Sequence, residues 1–207
     1  GKVRQYGAVV RDREKLEMIR KRSKHPTRVR TRHGHGRIYK TTLLVKLLSI
    51  VANKISTLDP QGIGVIMEAD KPGWCDPLNG LPGLLGSSIC ETIELERLAR
   101  FLRKSVDELK RKDYEPVLLY EELHNFVGGL DKAIGQRLDS KGKGKKLAYW
   151  EESNRLKEHY REKTKMGISG LEQKMTAAQM KIFLDKCLRL LGEVFGPENR
   201  KDVFHKE

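Results

Sequence analysis

Cysteine is scarce in this chain of 207 residues: there are only Cys75, Cys90 and Cys187, an odd number without a CxxC pair. That argues against a disulfide framework and against a zinc site, and it makes a reducing compartment, the cytoplasm, the expected address. Long apolar runs are also missing. The longest cluster, Leu43 to Ile55, is interrupted by Lys46 and Lys54 and is too short to span a bilayer, so no membrane segment is expected. Acid is in deficit, with 28 Asp and Glu against 42 Lys and Arg, and the net charge of +14 favours anionic partners without naming one. The first residues lack the apolar core of a secretory signal and begin with Gly, so the sequence is expected to be a piece of a longer polypeptide.

What is present is helical periodicity. Hydrophobic residues make up 38% of the chain, enough for a modest core. Leu43, Leu44, Leu47, Leu48, Val51 and Ile55 recur at three- and four-residue steps within residues 39–58, and Asp59-Pro60 closes that pattern. The capping box Ser88-Ile89-Cys90-Glu91 opens a second helix with Ile93, Leu95, Leu98, Phe101 and Leu102 as its apolar side. Further helices are expected over about residues 115–130 and 147–165. A last one starts at the box Thr176-Ala177-Ala178-Gln179, with a Met175–Met180 staple and an apolar face of Met180, Phe183, Leu184, Cys187, Leu191 and Val194, and stops at Gly196-Pro197. Apart from a short strand near residues 64–67, nothing alternates with period two. The predicted class is all-α, built of helix pairs, with a basic segment over 1–38 and a helical domain over 39–207. Broad apolar sides predict a chain that supplies part of a larger core, completed by missing segments or by a second copy.

Charge is unevenly distributed. From Arg20 to Lys40 there is no acidic residue, and Arg28, Arg30, Arg32, Arg37 and Lys40 are candidate contacts to nucleic acid or another polyanion. The run has almost no interleaved aromatics and no recognised nucleic-acid-binding signature, so a solvated arm or a docking surface reads equally well. His33 and His35 form an HGH pair without a placed third ligand, and no metal site is expected. Cys90 and Cys187 fall on helical faces and read as core residues, while Cys75 reads as a small packed side chain.

One stretch has a different composition. Residues 67–88, "MEADKPGWCDPLNGLPGLLGSS", hold three prolines that restrict the backbone and glycines that permit close approach. Such a frame can present Glu68, Asp70, Trp74, Asp76 and Asn79 in fixed directions, and sugars are bound by that mixture of acids, an amide and one flat ring. Asp76 before Pro77 is equally a turn residue, and Trp74 equally a buried anchor. Over about residues 36–104, "EADKPGWCDPLNGLPGLLGSSICETIELERL" and the upstream "GRIYKTTLLVKLLSIVANKISTLDPQGIG" resemble the catalytic-barrel loop, and the helix before it, of cellobiose-phosphorylase-like proteins, glycoside hydrolase family 94 and its relatives. Trp74, Asp76 and Asn79 match the family's Trp-Asn-Asp followed by Asn, with Cys75 in place of the middle residue. The resemblance implies part of an (α/α)6 barrel and inverting phosphorolysis of β-linked oligosaccharides. Asp76 would be the general acid and inorganic phosphate the co-substrate, with no further cofactor. Trp74 and Asn79 would shape the sugar subsite, and Glu68 and Asp70 would rank behind them.

Overall fold

The computed structural model describes residues 12–67, 86–111, 116–140 and 144–194. Six α-helices lie among them: α1 (Arg13–Arg20), α2 (Leu43–Ile55), α3 (Ile89–Arg111), α4 (Glu121–Asp139), α5 (Lys145–Thr164) and α6 (Ala177–Val194). Two small antiparallel pairs join them, β1 (Val65–Ile66) with β2 (Ser87–Ser88) and β3 (Val117–Tyr120) with β4 (Glu172–Met175). The chain is therefore mainly helical but not purely so, and among the described residues the helices do not close into a barrel.

Helix α4 is the centre of the body, packing against α2, α5 and α6, while α3 lies along α2 and α6. Its Leu123, Val127, Leu130 and Ile134 recur at i, i+4, i+7 and i+11 and are all buried. Gly129 sets the approach of α5: a Cβ there would stand 2.7 Å from Leu156 Cδ2, so the present packing of Leu156 against the helix uses the absent side chain. Tyr149 on α5 is buried and donates its hydroxyl hydrogen to the Ile55 carbonyl at 2.9 Å, satisfying one of the open acceptors at the C-terminus of α2. Burial pushes the Tyr149 phenol well above its ordinary pKa.

The cap chemistry follows the sequence closely at α6. Thr176 N–H donates to Gln179 Oε1 at 2.8 Å and Gln179 N–H donates to Thr176 Oγ1 at 3.2 Å, a complete reciprocal box, with Met175 and Met180 both in the core. All six residues of the expected α6 face are buried. At α3, Glu91 N–H donates to Ser88 Oγ at 3.2 Å, and the Glu91 carboxylate is taken by Lys54 Nζ.

Several expectations are corrected. Helix α2 begins at Leu43, capped by Thr42 Oγ1, and Leu43 is 71% exposed. On α3 the buried stripe is Leu95, Ala99, Leu102 and Val106, so Ile93 and Phe101 lie on the outer side, and Cys90 is exposed. The helix expected from residue 115 begins at Glu121, because Val117–Tyr120 is drawn into a four-residue ladder with β4. The partner lies far along the chain, where a local pattern cannot show it. The Gly196-Pro197 stop is outside the described residues. Among the described residues no helix is long and apolar enough to cross a membrane.

Candidate functional site

The loop singled out by its composition is held at its base. After α2, residues 57–66 form a tight reversal in which Ile66 N–H donates to Thr57 O at 2.7 Å and Asp59 N–H to Gly64 O at 2.8 Å. The Asp59 carboxylate fills this reversal, accepting from the backbone N–H of Gln61 at 2.8 Å and Gly64 at 2.8 Å, and from Ser87 Oγ at 2.7 Å. An Asp in such a position supplies acceptors to the backbone N–H groups that the turn leaves unpartnered. β1 and β2 then pair antiparallel, Met67 N–H donates to Gly86 O at 2.9 Å, and Val65 N–H donates to Thr92 Oγ1 at 2.9 Å. Residues 67 and 86 are thus neighbours across a hydrogen-bonded neck. The residues between them, including Glu68, Asp70, Trp74, Cys75, Asp76 and Asn79, lie outside the described residues.

The basic run over residues 20–40 is folded, not an extended solvated arm. Arg30 bridges to Ile38, Tyr39 N–H donates to Val29 O at 2.9 Å, and the tip is fastened to the segment after α5. There Arg32 N–H donates to Ser169 O at 3.1 Å, His33 N–H to Ile168 O at 2.9 Å, and Ile168 N–H to Arg30 O at 3.1 Å. Arg32 and His33 adopt left-handed φ angles of 50° and 49°, and Gly34, with φ 99°, is buried against Met18 and Met166. Left-handed backbone is costly for side-chain-bearing residues, so these three bonds hold the tip in a strained shape.

This knot divides the cations into two groups. Arg22 donates to Pro26 O at 2.7 Å and Gly34 O at 2.8 Å, and Arg30 donates to Gly36 O at 3.3 Å and Lys24 O at 3.1 Å. Both guanidiniums serve the knot internally. Arg28, Arg32, Arg37 and Lys40 are exposed. His33 and His35 are exposed, and among the described residues no three or more His, Cys, Asp or Glu are placed to hold a metal ion.

Between the knot and α2 opens a cleft of about 910 Å³, which sequence reasoning did not find. One side of α2 provides Lys46, Ser49, Asn53 and Lys54, the knot provides Arg28 and Lys40, and Tyr39, Tyr120 and Tyr160 complete the wall. The tyrosines are coupled: Tyr120 and Tyr160 share a hydroxyl hydrogen bond of 2.6 Å, Tyr39 meets Tyr120 edge to face at 5.8 Å, and Tyr39 O–H donates to Glu172 Oε1 at 3.0 Å. Burial raises the pKa of all three, so they stay neutral donors and acceptors at physiological pH. Lys54 belongs to both features, lining the cleft and pairing with Glu91 one turn after the loop's return strand. The signal available in the sequence was the polar side of α2 at Lys46, Ser49 and Asn53, three- and four-residue steps opposite the buried Leu48, Val51 and Ile55.

On the other side of Tyr160 lies a smaller recess of about 360 Å³ with His33, Glu122 and His159 in its wall. Glu122 Oε1 accepts from Ser169 N–H at 2.7 Å, and its buried Oε2 has no hydrogen-bond partner. Scans against protein-family models, curated proteins and solved structures returned no significant match for this chain.

Proposed function

We propose that this chain is part of a carbohydrate-active enzyme, an inverting glycoside phosphorylase acting on β-linked glucosides, in which Asp76 is the general acid. On this reading the helices are a segment of an (α/α)6 barrel completed by further helices of the same polypeptide or by a second copy. Asp76 gives its proton to the leaving glycosidic oxygen while inorganic phosphate attacks the anomeric carbon from the opposite face. A single protein carboxyl suffices, because phosphate takes the place of the water that an inverting hydrolase must activate with a second one. Trp74 stacks on the sugar ring, and Asn79, Glu68 and Asp70 take hydroxyls.

The observation that carries the reading is the stretch with Trp74, Asp76 and Asn79 in its Pro/Gly frame, with its resemblance to the family's loop. The neck supports it, since a loop with both ends pinned by Asp59, Thr92 and Met67 can repay the cost of holding side chains in catalytic positions. The test is release of sugar 1-phosphate from a β-linked disaccharide and phosphate by the full native polypeptide. Asp76→Asn is expected to abolish that release with substrate binding retained, and unchanged turnover would remove the assignment. Measuring the intact mass of the endogenous protein belongs beside it, because a chain several times longer is expected.

The exposure of Arg28, Arg32, Arg37 and Lys40 within one folded segment favours a second reading, contact with nucleic acid or another polyanion. Its signature is a steep loss of affinity with salt as phosphates are neutralised. Binding that ignores salt would dismiss it.

A further inference from the structure

We infer that the cleft between the basic knot and α2 is a binding site for a phosphomonoester of a small polyhydroxylated molecule, a sugar phosphate in chemical class. Among the described residues its lining holds Arg28, Lys40, Lys46 and Lys54 and neither Asp nor Glu. Three acids adjoin this lining: Glu91 pairs with Lys54, Glu172 accepts from the Tyr39 hydroxyl, and Glu122, behind Tyr160, accepts from Ser169 N–H. With Lys54 paired, Arg28, Lys40 and Lys46 carry the excess positive charge, and a concave wall focuses that field on an anion. Thr41 precedes the Thr42 cap of α2 and Lys46 is the fourth residue of the helix, so the N-terminal end of α2 borders the cleft and its dipole adds in the same sense.

The rest of the wall argues for a hydroxylated body on that anion. Ser49 and Asn53 are spaced one turn apart on α2 and line the cleft; Asn53 Nδ2 donates to Ser49 O at 2.8 Å and Ser49 Oγ donates to Lys46 O at 2.7 Å, so both side-chain oxygens are offered to the cleft as acceptors. Tyr120 and Tyr160 add a neutral hydroxyl pair, and Val29, Ile38 and Ile50 add apolar surface. Polar groups of both donor and acceptor type over an apolar and aromatic floor are the means by which sugar hydroxyls and ring faces are held. A volume of about 910 Å³ accommodates a mono- or disaccharide phosphate, whereas a nucleic-acid duplex cannot enter a cleft of that size. The inference rests on residues outside the 68–85 stretch and makes no use of Asp76.

Isothermal titration of the native polypeptide at fixed ionic strength tests this with glucose 6-phosphate, glucose, inorganic phosphate and a short single-stranded RNA. Glucose 6-phosphate is expected to bind at least about tenfold more tightly than glucose or inorganic phosphate, because both ends of the ligand are held. Lys46→Gln and the Arg28→Gln/Lys40→Gln pair are each expected to weaken it by about tenfold, while Lys132→Gln on the exposed side of α4 leaves it unchanged. Equal affinity for phosphate alone would reduce the cleft to a free-anion site, and tightest binding of RNA would assign it to a polynucleotide. Either result, or no binding of glucose 6-phosphate at millimolar concentration, overturns the inference. Binding is read without turnover, so its failure is separate from any failure of Asp76 to act as an acid.

Discussion

The helical body and the basic knot are stabilised by different physics in the same chain. The body is a continuous cluster in which α2 to α6 bury Leu48, Ile55, Leu123, Leu130, Ile134, Phe183 and Leu191 almost completely. Burial on that scale is non-directional and spreads over many contacts. The knot buries little apolar surface. It depends on a handful of directional bonds: three backbone hydrogen bonds to Arg30, Ile168 and Ser169, two arginines turned onto carbonyls, and glycines where no Cβ fits. The difference teaches that positive charge in a sequence is no measure of positive surface, because Arg22 and Arg30 are spent on the fold.

The contrast is broken most severely from the body side. Phe183→Ala removes the largest fully buried side chain among the described residues and is expected to cost about 3–5 kcal/mol, lowering the denaturant midpoint of the whole protein. A loss confined to one helix by hydrogen exchange would show that the body is not one cooperative unit.

The knot is expected to fail separately. At Gly34 a methyl group collides with Met166 O and Met18 Sδ, and the φ of 99° disfavours any Cβ. Gly34→Ala is therefore expected to cost roughly 1–3 kcal/mol, with faster tryptic cleavage at residues 20–37 and unchanged helical circular dichroism. Global unfolding by this variant would show that the knot holds the body together.

Asp59 tests a third case, a directional site embedded in the body. Asp59→Ala leaves the N–H groups of Gln61 and Gly64 and the Ser87 hydroxyl without their acceptor, for an expected cost of about 1–3 kcal/mol. Amide exchange at Ile63, Gly64 and Ile66 is expected to speed up while α4 stays protected.

Alkali gives a smaller effect on the body. Tyr120, Tyr149 and Tyr160 have folded pKa values above the unfolded value of 10.0, all through burial first. Groups raised in this way contribute stability that is fully present below the unfolded pKa and is lost as pH rises beyond it. Stability is expected to be insensitive to these phenols up to about pH 10 and to fall above it, and Tyr149→Phe is expected to flatten part of that fall. A fall that begins near neutrality would assign the linkage to other groups. The least perturbing probe is a thiol reagent: exposed Cys90 should label in the native state, while buried Cys187, whose thiol is pushed up by burial, should label only on unfolding.

The helices were legible because their causes are local. Thr176 and Gln179 cap one another across three residues, and Met180, Phe183, Leu184, Cys187, Leu191 and Val194 repeat with the helical period, so both cap and buried face of α6 can be read from a short window. The same window misplaced Ile93 and Phe101, since periodicity reports an apolar side but not how wide a strip the neighbours α2 and α6 cover. It also misread Val117–Tyr120 as helix, because the ladder to Glu172–Met175 is an interaction between distant segments.

By itself the sequence determined the helical periods, the caps and the excess of positive charge, all of which depend on residues a few positions apart or on composition. Only the tertiary structure decided which cations face solvent, how residues 67 and 86 are brought together, and that Arg28, Lys46 and Tyr160 share one cleft. Those outcomes rest on hydrogen bonds and packing between segments far apart in the chain, whose geometry exists only once the helices have docked.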